Sequence, residues 1–379
     1  MLFRLDDSII AYANRGKEEE RVVRVALENI LGCYREGSHI VVCTPALCLA
    51  IKNRLFNNST TQVWLLRSLA EEWPILSGHF GKIGSGVEIS GDVETAQATD
   101  AGSFRLLRVP IKMFAKVGLT QPSTVLTENL DDADFLGVMA RVYAAQNGLS
   151  PILKLNKVGG GGSTTAQQFA NIQSNQCQFC LCVVDSDKKS PDGGIGDTSK
   201  AVRRIHDVSN PLVAVAITPC HELENTIPEA LFQVISGSPT VLASAESISA
   251  LKAHASPGSF EHVDFKNGVK LLDLITFGHG SPDSTFWAGS LAKAKAKAGA
   301  SLTVSEACLK NWACNNTAAC SCVLLHPLGD NLLRNCNVYF EDTTVHRIKR
   351  LIDPHCQPMW THLGRIVFEW CCGWRERIT

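Results

Sequence analysis

The chain carries no excess charge of either sign. Its 36 Lys and Arg stand against 37 Asp and Glu, a formal net charge of -1 over 379 residues, so no overall positive field draws it to nucleic acid or to an anionic membrane. A polyanionic partner has to be held by a local patch or by a metal ion. Long apolar runs are missing as well: Leu212–Ile217 is typical, far below the roughly 18–20 residues that cross a bilayer, and no membrane partner is expected. Asp6 and Asp7 break the opening stretch where a secretory signal needs an unbroken apolar core. There is no internal repeat of solenoid period. Cysteine is not scarce, but its 15 residues are an odd number scattered from Cys33 to Cys372, unlike the dense, even framework of a small secreted domain. The expectation is a cytoplasmic chain with free thiols. With 45% hydrophobic and 19% charged residues it is globular, and long enough for two or three domains.

Three regions differ in texture. Residues 1–115 read as an N-terminal α/β or α+β region. Val22, Val23, Val25, Ala26, Ile30 and Leu31 recur at helical spacing behind Lys17–Arg21, followed by a β-branched run at His39–Cys43 and an amphipathic segment around Trp64–Leu69. Between Gly81 and Gly102 the chain is rich in Gly, Ser and Thr and reads as loop or weak strand. Residues 120–245 alternate short apolar runs with helical segments, the pattern of a mostly parallel α/β sheet. Strands are expected at Thr124–Thr127, Ile152–Leu155, Phe179–Val184 and Val213–Ile217, with Phe135, Val138, Met139 and Val142 sharing one face of the helix after the first. Residues 246–379 read as mainly helical, with an Ala/Lys segment at Leu291–Ala298 and a closing helix over Trp360–Trp374.

The chemistry lies in acids placed just beyond successive strands. Glu128 follows the first strand, with Asp131 and Asp132 opening the next helix; Asp185 and Asp187 follow the third; Glu222 and Glu224 follow the fourth. In an open parallel sheet, ligands bind outside the carboxyl ends of the strands, so these acids are expected to converge there. In Asp185-Ser-Asp187 an extended backbone would aim both carboxylates to one side. Crowded carboxylates repel one another, and a hard divalent cation such as Mg²⁺ makes the cluster tolerable. Mg²⁺ keeps waters and substrate phosphates in its shell, which points to phosphate chemistry.

The pieces Val125-Leu-Thr-Glu128-Asn-Leu-Asp-Asp132, Val183-Val-Asp185-Ser-Asp187 and His221-Glu-Leu-Glu-Asn-Thr-Ile-Pro228 together resemble the Toprim family. The last stretch is similar to its nuclease branch, the OLD-type nucleases and Toprim effectors of bacterial antiphage systems. The resemblance spans residues 120 to 235. It departs from the family at Asn129, where a glycine is usual.

It implies a Toprim-like open, mostly parallel sheet with helices on both faces, flanked by the two end regions. It further implies a metal-dependent endonuclease cutting DNA or RNA, with Mg²⁺ or Mn²⁺. Glu128 would be a metal ligand or general base, Asp185 and Asp187 metal ligands, and Glu222 or Glu224 the additional acid for hydrolysis; Asp132 and Glu224 join the metal set. Lys188 or Lys189 would touch a phosphate oxygen. An ATPase sensor as controlling partner and a homo-oligomer also follow from family behaviour. A different class of reading is a non-catalytic Toprim-like subunit that binds nucleic acid or a partner. An Asp-x-Asp phosphatase is a further alternative, although that pattern places Thr or Val where this chain has Lys189.

Other motifs carry less. Gly159–Gly162 is followed by no Gly-Lys-Ser/Thr, so a tight strand-to-helix turn is expected and a nucleotide-triphosphate site is not. Cys177-Gln-Phe-Cys180 and Cys182 fall largely within a buried strand and read as core. Cys308, Cys314, Cys320, Cys322, Cys336 and Cys356 with His326 and His355 are a candidate structural zinc set at unfamiliar spacings. Lys293, Lys295, Lys297, Lys310, Arg334, Arg347, Lys349 and Arg350 form either a nucleic-acid groove or a solvated face.

Overall fold

The computed structural model describes residues 1–101, 104–235, 258–270, 280–287, 323–325 and 327–377. The Ala/Lys segment at Leu291–Ala298, Trp312, His326 and the cysteines from Cys308 to Cys322 lie outside the described residues, as does Lys310, so neither the full zinc set nor Lys293, Lys295, Lys297 and Lys310 have a structural account.

The chain is α/β, with mostly parallel sheets and helices, and divides into two compact units. The first comprises Met1–Val183, Val202–Ala216 and His362–Thr379; the second comprises Val184–Ala201 and Ile217–Thr361.

In the first unit the elements are, in order, β1 (Leu2–Leu5), α1 (Ser8–Ala13), α2 (Lys17–Glu36), β2 (Ile40–Val42), α3 (Pro45–Leu55), α4 (Thr60–Ser77), β3 (Ser85–Ser90), β4 (Gln97–Ala101) and β5 (Phe104–Pro110). They form a five-stranded sheet in the order β2-β1-β3-β5-β4, parallel except for β4 against β5. Helix α2 buries Val23, Ala26, Leu27, Ile30, Leu31 and Tyr34 along one stripe and begins with three glutamates at its positive end. It stops at Gly37, whose φ of 68° is left-handed and where a Cβ would collide with the Trp374 carbonyl.

The Gly/Ser-rich stretch expected to be loop or weak strand instead supplies β3, the middle strand of this sheet, with all six residues buried. Its polar face is explained by register. Glu88 lies between Arg4 on β1 and Arg108 on β5, and each arginine takes one of its carboxylate oxygens, Arg108 Nε at 2.8 Å. A cross-strand ion ladder thus stands where sequence periodicity sees only a charge interrupting an apolar run.

A second sheet follows, from β6 (Ser123–Thr127), α5 (Leu130–Gln146), β7 (Ile152–Leu153), β8 (Leu155–Gly159), α6 (Thr165–Asn175), β9 (Cys180–Val184), α7 (Asp197–Ile205) and β10 (Val213–Ile217). Four strands are ordered β10-β9-β6-β8, with β6 parallel to both β8 and β9. Phe135, Val138, Met139 and Val142 of α5 are all buried, as expected. The expected second strand is two pieces. Residues 152–153 pair antiparallel with Cys372–Gly373, and only 155–159 join the parallel sheet. Cys180 and Cys182 are fully buried in β9, where desolvation pushes the Cys180 thiol up to about 12.

The second unit holds the loops that follow β9 and β10, then α8 (Glu229–Ile235) and the helices Leu332–Glu341, Val345–Leu351 and the first part of Gln357–Cys371. Its core is aromatic. Phe265 meets Phe232 and Phe260 edge-on at 5.8 and 5.1 Å, and Phe340 meets Trp360 at 6.3 Å. Buried Trp360 donates through Nε1 to the Thr226 carbonyl at 2.7 Å. Cys336 and Cys356 are buried free thiols. Arg334, Arg347, Lys349 and Arg350 are exposed.

Among the described residues no helix is long and apolar enough to cross a membrane.

Candidate metal centre

Two loops in the second unit build the centre. Asp185–Lys188 continues from β9 and Thr218–Asn225 from β10. Their backbones are laced together: Asp187 N–H donates to His221 O at 2.8 Å, Ser186 N–H to the Thr218 hydroxyl at 2.9 Å, and the buried Ser186 hydroxyl to Cys220 O. Asn225, fully buried, accepts from Glu222 N–H and donates to the carbonyls of Phe260 and Val263, all at 2.8 Å. The third motif is thereby pinned to the segment that carries Lys266.

The two aspartates do not act as the extended pair that the i, i+2 spacing suggests. Asp187 has a φ of 51°, in the left-handed region that Asp tolerates better than most residues, and this kink separates the partners of the two carboxylates. Asp185 Oδ1 accepts from Leu223 N–H at 2.9 Å. Asp187 instead joins His221 and Glu222, whose ligand atoms all lie within 4.8 Å of one another. Gly196 makes room for it, since a Cβ there would stand 1.8 Å from Asp187 Oδ2 and 2.6 Å from its Cβ.

Glu222 and Glu224 are both buried, and Lys266 Nζ lies between them, 3.6 Å from Glu222 Oε2 and 3.0 Å from Glu224 Oε1. Among the described residues, Oε2 of each glutamate is buried without a hydrogen-bond partner. Desolvation first, then the charge of Glu224, raises the Glu222 carboxyl to about 8. Burial works against the Lys266 ammonium, but Glu224 and Glu222 outweigh it and hold the lysine above its usual range.

His221 is 5% exposed. Its Nδ1 lies 3.0 Å from the Lys188 carbonyl, and His262 Nδ1 approaches that same oxygen at 3.0 Å. A carbonyl accepts only, so both Nδ1 atoms carry hydrogen. The Nε2 atom of His221 looks toward Glu222 Oε1 at 4.0 Å. Burial keeps His262 below the ordinary histidine range. Lys188 Nζ, expected at a phosphate, donates to Pro191 O at 3.1 Å.

Glu128, Asp131 and Asp132 belong to the first unit. Glu128 directly follows β6. Asp132 Oδ2 accepts from Asn129 N–H at 2.9 Å, closing a capping box at the start of α5, so one of its oxygens serves the helix. Beside Glu128, Gly160 and Gly161 N–H groups donate to Thr127 O and Glu128 O at 2.6 and 2.9 Å. Gly161 and Gly162 take left-handed φ values of 73° and 63°. The glycine run is the tight turn expected of it, with those two donors spent on the chain itself.

Two members of the centre escaped sequence reasoning. His221 stood inside the quoted third motif, and its place beside Glu222 was the available signal. Lys266 lies 45 residues beyond His221, in Val263-Asp-Phe-Lys266, where no spacing marks it. No family model, curated protein or solved structure matches the chain.

Proposed function

We propose that the protein is a divalent-metal-dependent Toprim nuclease that hydrolyses phosphodiester bonds of DNA or RNA. The observation that carries the reading is the gathering of Asp187, Glu222 and Glu224 in two laced loops, with Asp185 anchoring the turn between them. Buried carboxylate oxygens left without hydrogen bonds are costly unless a cation or proton takes them. Asp187, His221 and Glu222 offer oxygen and nitrogen atoms close enough to share one ion, and those unbonded oxygens fit such a group. A bound dication would supply charge for a phosphate oxygen and acidify a water molecule.

The chain's own residues do the rest. Asp187 and Glu222 would hold the ion, and Asp185 fixes the loop that positions Glu222 and Glu224. Glu224, steadied by Lys266, accepts a proton from the attacking water through its unbonded oxygen. A role for Glu128, in the first unit, as ligand or base is what the family resemblance alone implies. The exposed Arg334, Arg347, Lys349 and Arg350 suit a nucleic-acid backbone. Control by an ATPase partner in an antiphage system rests on the resemblance alone, as does a cytoplasmic home.

The test is cleavage of supercoiled plasmid, single-stranded DNA and tRNA by wild type, Asp185→Ala and Glu128→Gln, in Mg²⁺, Mn²⁺ and EDTA. Cleavage that needs metal and is lost in both variants supports the nuclease. Equal cleavage by wild type and Asp185→Ala removes the proposed centre. Metal binding without cleavage of any of the three substrates leaves the non-catalytic subunit, and turnover of p-nitrophenyl phosphate alone leaves a phosphatase.

A further inference from the structure

The geometry points to a mixed nitrogen–oxygen metal site in which His221 Nε2 binds alongside the Asp187 and Glu222 carboxylates, favouring a first-row transition-metal dication over Mg²⁺. The inference rests on the reading above in taking the same loops as a metal centre, and it goes further by adding an imidazole ligand and a choice of ion.

The tautomer carries the argument. Because the Lys188 carbonyl can only accept, the hydrogen of neutral His221 sits on Nδ1 and a bare lone pair sits on Nε2. That lone pair stands 4.0 Å from Glu222 Oε1, itself an acceptor. Two acceptors facing each other in a site where His221 is 5% and Glu222 8% exposed repel unless a cation or proton lies between them. A ring N–H fixed on a backbone carbonyl, with the other nitrogen aimed at carboxylates, is how metal-binding histidines are held.

A second, independent sign is Glu222 Oε2, buried with no hydrogen-bond partner among the described residues although Lys266 lies 3.6 Å away. One imidazole nitrogen with two carboxylates is a poor set for Mg²⁺, which asks for an octahedral shell of oxygens. It suits Fe²⁺, Co²⁺ or Zn²⁺, and more weakly Mn²⁺, whose unpaired electrons make it the spectroscopic probe of the same site. His262 shares the Lys188 carbonyl but is not part of the ligand cluster, so it serves as an internal control. With Glu222 spent on the ion, Glu224 remains as the acceptor for the water proton.

The experiment uses the full chain and MnCl₂ as the probe. Pulsed EPR of the Mn²⁺-loaded wild type should show modulation from one directly bound ¹⁴N, which requires no variant. His221→Gln should lose that modulation and at least about tenfold in Mn²⁺ affinity by titration calorimetry, with Mg²⁺ affinity changed less than about twofold, whereas His262→Gln should keep the nitrogen signal. An Mn²⁺ signal without nitrogen, a nitrogen signal that survives in His221→Gln, or wild-type Mg²⁺ binding as tight as Mn²⁺ would overturn the site. The two readings fail separately. Nitrogen-coupled Mn²⁺ with no nucleic-acid cleavage sinks the nuclease and keeps the site; Mg²⁺-supported cleavage with an oxygen-only Mn²⁺ signal does the reverse.

Discussion

Among the described residues two places bury glutamate, and they do it in opposite ways. In the first sheet Glu88 has an arginine on each side, one for each oxygen. In the second unit Glu222 and Glu224 share Lys266, and one oxygen of each has no hydrogen bond from any described residue. The first arrangement is closed: every acceptor is matched, and nothing more is asked of it. The second leaves acids in excess of cations, with a histidine lone pair added. Uncompensated buried polarity of that kind persists where it serves a ligand or a reaction.

The contrast is broken most sharply at Asp187. Asp187→Asn should lower metal-dependent phosphodiester cleavage by more than about a hundredfold, since loss of a direct ligand exceeds the roughly 10–100-fold typical of outer-shell changes. Glu88→Gln, a buried glutamate of the other kind, should leave cleavage per folded molecule unchanged. Comparable losses in the two variants would mean that the two sites do not differ in kind.

Lys266→Met comes next. It leaves two buried carboxyls facing each other, so unfolding in EDTA should become easier by about 2–4 kcal/mol, below the usual 3–5 for a broken buried pair because Glu222 can take up a proton. Mn²⁺ should restore most of that loss. For Glu88→Gln the same denaturant titration should show a loss of about 1–3 kcal/mol, discounted because both arginines are partly exposed, with no recovery on adding metal.

A third test uses pH. The Glu222 carboxyl is raised to about 8 by burial and by Glu224, with Asp264 and Asp187 adding to the rise and Lys266 opposing it. The folded protein therefore holds this proton in a range where the unfolded chain has released it. Stability linked to the group is full below the ordinary glutamate range and falls as pH rises from about 4.5 to about 8. In EDTA the melting temperature of wild type should decline across that window, and Glu222→Gln should flatten the decline. An unchanged slope in the variant would remove Glu222 as its source.

Much of the second sheet was legible in the sequence, because a strand covered on both faces is an apolar run whatever its neighbours are. The segments Cys180–Val184 and Val213–Ile217 stand out in that way. Strand β3 was not legible, since Ser85-Gly-Val-Glu-Ile-Ser90 makes sense only once the register sets Arg4 and Arg108 beside Glu88. At the candidate centre the acid types and their places beyond the strands could be read directly. The parting of Asp185 from Asp187 could not, because it depends on a left-handed backbone at Asp187 that follows from the hydrogen bond to His221 O. Lys266 was beyond reach for the same reason: Asn225, itself buried, ties its segment to the third motif through two carbonyls.

The smallest effect concerns Gly196, which acts only through Asp187. Gly196→Ala should push Asp187 aside and weaken Mn²⁺ binding by about tenfold.

The most direct measurement is anomalous diffraction at the manganese edge from crystals soaked in MnCl₂. One strong peak is expected within bonding distance of the Asp187 carboxylate, His221 Nε2 and the Glu222 carboxylate. Density that stays flat among those three side chains, or a manganese held elsewhere, would contradict it.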